Sequence, residues 1–476
     1  MSCKIKASDI PYDTQKRIFK LLTFEPVGFK HFHNNYSFSP NYALESNKVQ
    51  MFYTSEGLVH LPFWFVAMFY KKIPNQNKDY PKIFKDRKDK FSGKLLPRQG
   101  EPFKQALEYL KKYSTVTIAL YPGFGKTFIG VMLSWYLNLR VCVLVHRDNV
   151  GKSWIKTFKT CFRKKIPLPD IGEPREKFVS SLEGGEEMIT WVDEKGNYNK
   201  EAKVFVVMDT RVKKLDREIV DSIGTLIIDE AHLFCSKSRV VPMLSFSPKY
   251  IIAESATIAK DNGMHKMIQS ICGPHNIEKI SDKKYHFYLF ETGLEYDLGA
   301  SKNIFNDLLN AQSFNLERNR LIVNILNSNR EYKAIIVNKF KDHCKLLKEM
   351  LEKEGMESSE LYGTKKNYIP KNILIGTGSK MGVGFDEANF CDDFDGRPSD
   401  LILITHSFRS WAPFEQIRGR GMRSENPNVV MFSDNHNITK KHFRSIKKWV
   451  KETNGVLHII KCEGLEDFRL ESLRGF

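Results

Sequence analysis

The chain has 476 residues, room for about three domains, and its 41% apolar and 27% charged residues describe a folded, water-soluble protein rather than a disordered or membrane-embedded one. Lysine and arginine number 74 against 56 acidic residues; the excess of +18 favours a polyanionic partner, because each neutralised phosphate releases condensed counterions. Eight cysteines (Cys3, Cys142, Cys161, Cys235, Cys272, Cys344, Cys391 and Cys462) form no C-x-x-C pair. This excludes a zinc ribbon or dithiol redox site and suits a reducing cytosolic or nuclear compartment. The start, MSCKIKASDIPYD, lacks the apolar core of a secretion signal, and the greasiest run, Leu58–Tyr70, is too short to span a bilayer. The expectation is a protein that is not secreted and has no membrane segment.

In chain order, residues 1–93 form an aromatic-rich leader, read as a small N-terminal accessory domain that decides substrate geometry. Phe63, Trp64, Phe65, Phe69 and Tyr70 are either stacking surfaces for bases or, as composition favours, the leader's core. The charged stretch NQNKDYPKIFKDRKDKFSGK closes it as an exposed linker or a phosphate-contacting face. Over residues 94–285, TVTIALY, VCVLVH, KVFVVMD, GTLIID and KYIIAESA are strand candidates, and FIGVMLSWYLN and VGKSWIKTFKTCF are helices. The stretch from Phe162 to Lys203 reads as a surface excursion such as a β-hairpin. Over residues 286–476 the alternation returns: KAIIVN, NILIGT, DLILITH and NVVMFS as strands, with a helix from FKDHC ended by Gly355. Strands alternating with helices predict an α/β chain of parallel sheets covered by helices. Near the end, TKKHFRSIKKWVKETNG predicts a helix with Thr439 as N-cap and Gly455 as stop. It packs through Phe443, Ile446 and Val450 and turns Lys440, Lys447, Lys448 and Lys451 outward. Trp411 is a packed loop side chain or a wedge beside a nucleic-acid path.

LYPGFGKT joins a strand candidate to a helix candidate. Leu120 stands where a strict phosphate-binding loop has its first glycine, leaving Pro122, Gly123, Phe124, Gly125, Lys126 and Thr127. Glycines let backbone amides approach phosphate, the lysine neutralises it and the threonine hydroxyl suits Mg²⁺. GTLIIDEAHLF then places Asp229, Glu230 and His232 beyond a buried strand, where α/β sheets expose their sites. Asp229 is suited to holding Mg²⁺ and Glu230 to orienting and deprotonating water.

With these two elements in order, the chain resembles the DEAH-type superfamily 2 helicases and translocases, and further segments from Lys94 to Ser445 match in sequence order. LLPRQGEPFKQAL resembles the glutamine motif, implying adenine contact by Gln99. VLVHRDNVGKSW and VVMDTRV resemble strand-contacting segments, implying nucleic-acid roles for His146, Arg147, Trp154 and Thr210. ESATIAKDNG implies a link between hydrolysis and movement through Ser255, Ala256 and Thr257 together with His232, although Ile258 replaces the usual proline. AIIVNKFKDHCKLL, ILIGTGSKMGVGFD and EQIRGRGMR resemble the motifs of the second domain. They imply nucleic-acid contact by Thr377, nucleotide contacts by Gly384 and Asp386, and catalytic roles for Gln416, Arg420 and Arg423. An always-charged planar fork suits a γ-phosphate.

The resemblance implies two tandem RecA-like domains, with ATP and Mg²⁺ bound and the energy used on DNA, single-stranded, duplex or branched. Gln416, where the RNA-dedicated branch has histidine, together with SATI…DNGM and the tryptophan of GKSW, resembles DNA translocases, and the compact length and lysine- and asparagine-rich composition fit a viral or phage member. That implies work in replication, recombination, repair or transcription in the cytoplasm of a host or producing cell, as a monomer or weak oligomer. An RNA helicase of similar build and a non-hydrolysing ATP-binding scaffold are the alternatives.

Overall fold

TVTIAL, VCVLV and TLII are apolar at every position, the pattern of strands buried on both faces of a parallel sheet, and that is where the chain places them. The computed structural model describes residues 2–25, 48–88, 90–167, 176–255, 263, 265–299, 303–382, 384–408, 411–465 and 467–475. It divides into two units: Met1–Leu120 with Phe124–Lys279, and Ile280–Phe476 with Tyr121–Gly123.

The first unit opens with β1 (Ser2–Lys6), β2 (Thr23–Phe24), β3 (Val49–Gln50), β4 (Tyr53–Ser55) and β5 (Leu58–Pro62). Strands β1, β5 and β4 make a small antiparallel sheet. The main strands are β6 (Thr115–Leu120), β7 (Val141–Val145), β10 (Ile189–Trp191), β11 (Val204–Met208), β12 (Thr225–Ile228), β13 (Tyr250–Ser255) and β14 (Asn276–Lys279), with β8 (Arg163–Pro167) and β9 (Glu176–Ser180) forming a hairpin between β7 and β10. The main sheet runs β10-β11-β7-β12-β13-β6-β14, every pair parallel. The stretch expected as an excursion is therefore only half one: after the hairpin it adds β10 to the sheet.

Ile10, Leu61, Phe63 and Val66 of the leader share one core with Phe246, Met267 and Ile271. Trp64 packs edge-on against His275 with ring centres 4.7 Å apart. These aromatics serve packing. The charged run after them is neither a free linker nor a bare phosphate-binding face. Tyr80, Ile83 and Phe84 are buried, the Tyr80 hydroxyl donates to the Ser247 carbonyl (2.6 Å), and the Asn138 side chain bonds both backbone groups of Phe84 (2.9 Å each). The run is a strap on the first unit.

The second unit holds β15 (Tyr285–Glu291), β16 (Ala334–Asn338), β17 (Ser358–Leu361), β18 (Ile373–Thr377), β19 (Leu401–Ile404), β20 (Asn428–Ser433) and β21 (Gly455–Lys461). Their order is β17-β18-β16-β19-β20-β15-β21, again wholly parallel. Two seven-stranded parallel sheets with helical crossovers are tandem RecA-like domains. The last long helix runs Asn437–Glu452. His436, not Thr439, caps it, accepting the Ile438 N–H at 3.2 Å, while Thr439 is buried inside; Gly455 opens β21. Trp411 packs against Trp449, ring centres 5.7 Å apart. All eight cysteines are free thiols, and among the described residues no helix is long and apolar enough to cross a membrane.

The carboxyl edge of the second sheet is held by a buried polar network. Arg318 and Asp434 are both fully buried and 3.1 Å apart. Asp434 also accepts from Thr292 and Gln312 (2.6 Å each), while Arg318 donates to the Thr405 carbonyl at 2.9 Å. The pair thus ties the ends of β19 and β20 to the helices Ile304–Phe314 and Leu316–Asn327. Asp434→Ala leaves a guanidinium buried without its counter-charge, a loss of about 3–5 kcal/mol. Urea unfolding of the full chain, followed by tryptophan fluorescence, should show a transition shifted down accordingly; a shift below about 1 kcal/mol contradicts this account of the network.

Candidate nucleotide and nucleic-acid site

Strands β12, β13 and β6 are neighbours, so their carboxyl ends bring three sequence-distant segments together. From β6 the chain turns through the phosphate-loop candidate into the helix Lys126–Leu137. Gly123 and Gly125 adopt left-handed backbone (φ +84° and +100°), which a side chain resists, and a Cβ on Gly125 would lie 2.2 Å from Gln99 Nε2. Gln99 is buried. Its Oε1 accepts from the Leu96 N–H (2.8 Å) and its Nε2 donates to the Phe124 carbonyl (3.0 Å). The glutamine expected at adenine thus ties the start of the helix Pro97–Tyr113 to the loop. Phe124 is buried, Pro122 and Thr127 half-buried, and Lys126 Nζ donates to the Leu120 carbonyl at 2.8 Å.

At the end of β12 the Asp229 N–H continues the ladder to the Leu144 carbonyl (3.0 Å), and its Oδ2 accepts from Trp154 Nε1 at 3.0 Å. Burial and the neighbouring Glu230 charge lift its pKa to about 6, against the opposing pull of the Trp154 hydrogen bond and the Lys126 ammonium. Glu230 sits at φ +49°, an uncommon conformation for a residue with a side chain and the kind of strain that functional sites hold. Its Oε2 lies 3.2 Å from His232 Nδ1, which lies 2.9 Å from the Ser255 hydroxyl at the end of β13. His232 Nδ1 is thus approached both by Glu230 and by the Ser255 hydroxyl that ends β13. Ala256 and Thr257, expected to act with Ser255, lie outside the described residues.

Trp154 corrects an expectation. In place of the nucleic-acid contact that the resemblance implies, its side chain is wholly buried and orients the Asp229 carboxylate. Glu254 was not anticipated at all. It lies on β13, between the β12 and β6 strands, fully buried, with neither oxygen hydrogen-bonded among the described residues. A Cβ on Gly130 would meet both Glu254 Oε1 (2.6 Å) and the Trp154 ring (2.7 Å), so the carboxyl lies against the phosphate-loop helix. Burial, then the Asp229 charge, pushes its pKa well above the ordinary carboxylate range. Both causes favour its neutral form.

The adjacent strands β7 and β11 carry the segments expected to touch a nucleic acid. His146 and Arg147 follow β7; Asp209 and Thr210 follow β11. Buried Asp209 accepts from Arg239 Nε (2.5 Å) and lies 3.4 Å from His146 Nδ1. Burial, then the Arg239 charge, lowers the His146 pKa against the opposing pull of Asp209. Thr210 is exposed, while Arg147 is half-buried within range of the Glu230 charge.

In the second unit, Thr377 ends β18 almost covered, its hydroxyl 3.0 Å from that of Ser379. Arg420, on the helix Trp411–Gly421, donates to the carbonyls of Gly382 and Phe385 and so pins the loop that contains Gly384 (φ +73°). Arg423 pairs with Asp386 at 2.8 Å, both side chains about one-third exposed (29% and 32%). Asp386 also caps the helix Glu387–Phe390 through Ala388 N–H. Gln416 is buried behind the loop. Arg418, between these positions, is structural: it grips Glu415 through Nε and Nη2 (2.6–2.8 Å) over the Tyr285 ring.

The donor set on the first unit is one oriented carboxylate, one hydroxyl, one ammonium and glycine-loop amides. This fits a Mg²⁺–triphosphate, because Mg²⁺ takes few protein oxygens and fills its remaining positions with phosphate and water. No group of three or more His, Cys, Asp and Glu side chains able to hold a metal is found among the described residues.

Comparison with known proteins gives concordant matches. The family model "Type III restriction enzyme, res subunit" matches residues 92–260. The chain is 27% identical over 429 residues to "Putative helicase 161L" of Invertebrate iridescent virus 6, covering 84% of this chain and 89% of that one. It is 24% identical over 372 residues to "Putative helicase 055L" of Frog virus 3, covering 75% and 78%. Among solved structures, S. cerevisiae Dbp5 bound to RNA and ADP BeF3 aligns with a TM-score of 0.51 at 13% identity, covering 75% of this chain and 89% of that chain.

Glu254 supplies a pH test. Its folded-state pKa lies above the unfolded value near 4.5, so the stability it contributes is fully present below that pH and is lost as pH rises toward the folded value. Relative to Glu254→Gln, which is neutral throughout, the wild-type melting temperature should fall progressively as pH is raised above about 4.5. Parallel melting curves for the two proteins across that range contradict the assignment of a neutral buried acid.

Proposed function

We propose that this chain is a superfamily 2 nucleic-acid-dependent ATPase, and within that family a DNA helicase or translocase that couples ATP hydrolysis to movement along DNA, in replication, recombination, repair or transcription of a viral genome. The observation that carries this reading is the gathering of Asp229, Glu230, His232 and Ser255 beside Lys126 at one sheet edge. It combines the means of hydrolysis with a mechanical exit. The preference for DNA follows from Gln416 at the head of the arginine motif, and the viral setting from the two iridovirus relatives.

In this reading Lys126 leaves the Leu120 carbonyl to neutralise the β- and γ-phosphates, with loop amides from Gly123 to Gly125 as donors. Thr127 and Asp229 would hold Mg²⁺, which would spread the charge of the transferring phosphoryl group. Trp154 keeps one Asp229 oxygen engaged, so the other is presented in one orientation. Glu230 takes the proton of the attacking water while the bond to the ADP oxygen breaks, and the strained backbone fixes its carboxylate. Loss of the γ-phosphate changes what Glu230 faces, and His232 passes that change to Ser255. In the second unit, Arg420 is the positioning arginine of the Gly384 loop, and Arg423 is the one whose partly exposed partner, Asp386, can be exchanged for phosphate. Gln99 shapes the loop as well as reading adenine. His146, Arg147 and Thr210 contact the nucleic acid on the first unit, and Thr377 does so on the second.

ATP turnover should be measured alone and with single-stranded DNA, duplex DNA and RNA. DNA should stimulate strongly; stimulation by RNA alone transfers the reading to an RNA helicase, and no turnover with any of them refutes it. Glu230→Gln should lower DNA-stimulated turnover by roughly 10²–10⁴-fold while ATP still binds. Wild-type turnover in that variant would remove Glu230 as the base.

A further inference from the structure

The helix Asn437–Glu452 packs on the second sheet through Thr439, His442, Phe443, Ile446 and Val450, all buried. Its opposite face carries Lys440, Lys441, Arg444, Lys447, Lys448 and Lys451, at the spacing of three and four residues that aligns side chains along one side. Sixteen residues rise about 24 Å, so the stripe offers one or two cations at each ~5.4 Å turn. All but half-buried Lys447 are exposed. Two of the six have acidic partners: Lys447 lies 3.8 Å from Glu291 and Lys448 3.6 Å from Glu452. Lys441, Arg444 and Lys451 form no ion pair among the described residues.

Like charges three and four apart destabilise an isolated helix. This one carries several such pairs and is held by its apolar face, so the stripe is stable as a set of charges awaiting an extended anion. The helix also begins just beyond β20, at the carboxyl edge of the second sheet, the edge on which Thr377 and the Gly384 loop lie. Sites of parallel sheets collect at that edge.

We propose that this stripe is an additional nucleic-acid surface that binds the phosphate backbone beyond the path at the sheet edge. The proposal rests on the nucleic-acid reading of the preceding subsection. A polynucleotide suits it because charge repeats along the backbone at a regular rise, as it does along the helix. Contact through lysine and arginine to phosphate is independent of base sequence, so the surface adds grip without slowing a moving protein at particular bases.

The test is the full-length triple variant Lys441→Glu/Arg444→Glu/Lys451→Glu, which breaks no ion pair, with Lys441→Gln/Arg444→Gln/Lys451→Gln as the neutral control. Binding of labelled single-stranded and duplex DNA is followed by fluorescence anisotropy over a salt series, with thermal melting as the check on folding. We expect weaker DNA binding and a log K against log salt slope shallower by about 2–3, close to 0.9 for each lost phosphate contact, at an unchanged melting temperature. The glutamine variant should fall between. Wild-type affinity and slope in both variants overturn the proposal while leaving the motor reading intact. So does an effect confined to anionic phosphatidylserine vesicles, which would assign the stripe to a lipid surface. A wild-type chain that binds no DNA at any salt defeats the parent reading itself.

Discussion

Asp229 ends a strand whose residues are all buried, and its carboxylate must stay oriented and able to ionise in a place that water barely reaches. Two features make that possible: an indole N–H from Trp154 and the ammonium of Lys126, both of which favour the charged form. Two others oppose it: desolvation and the charge of Glu230. The balance holds the group at the upper end of the carboxylate range, poised for a divalent cation to complete what the protein leaves unfinished. Around it the fold is arranged with little tolerance. Gly130 is small where the Trp154 ring and Glu254 both approach, and Gly125 is small where Gln99 crosses under the loop. The site is as much a packing solution as an arrangement of charges.

The same economy recurs in the second unit with different chemistry. Buried arginines there do structural work: Arg318 against Asp434, Arg418 against Glu415, Arg420 against two loop carbonyls. Arg423 is different in kind, since its partner is a partly exposed aspartate that a phosphate can displace. One motif of nine residues therefore contains a core arginine, a loop-holding arginine and an available one. Their sequence spacing separates these tasks less clearly than their burial does.

Much of this was legible before any coordinates. All but one of the long central strands declared themselves through unbroken apolar runs, and the loop and acid pair through their position between strand and helix; β15 escaped because its run YHFYLFE carries His286 and Glu291 and starts at the expected boundary between the two regions. Strands β10, β14 and β17 escaped because they are three or four residues long, and NIEK and SSEL carry polar and charged residues that read as loop. β21 escaped because an edge strand, half-exposed, shows only a weak alternation. Trp154 was misplaced because the segment around it resembles a strand-contacting motif. Yet Val150, Trp154, Phe158 and Cys161 recur at helical spacing, and that period marks the buried face. Glu254 had a signal as well: a glutamate in the apolar run KYIIAESA, next to the coupling serine, must be buried if the strand is central. Its place beside Asp229 was not legible, because strand order is a property of the sheet and not of any one strand.

The account stands on a Mg²⁺–triphosphate gripped by Lys126 and Asp229 at one sheet edge. Calorimetric titration of the full chain with a non-hydrolysable ATP analogue in Mg²⁺ tests it most directly. One site is predicted in the wild type, weakened by at least about tenfold in both Lys126→Ala and Asp229→Asn. Wild-type affinity in both variants would contradict it.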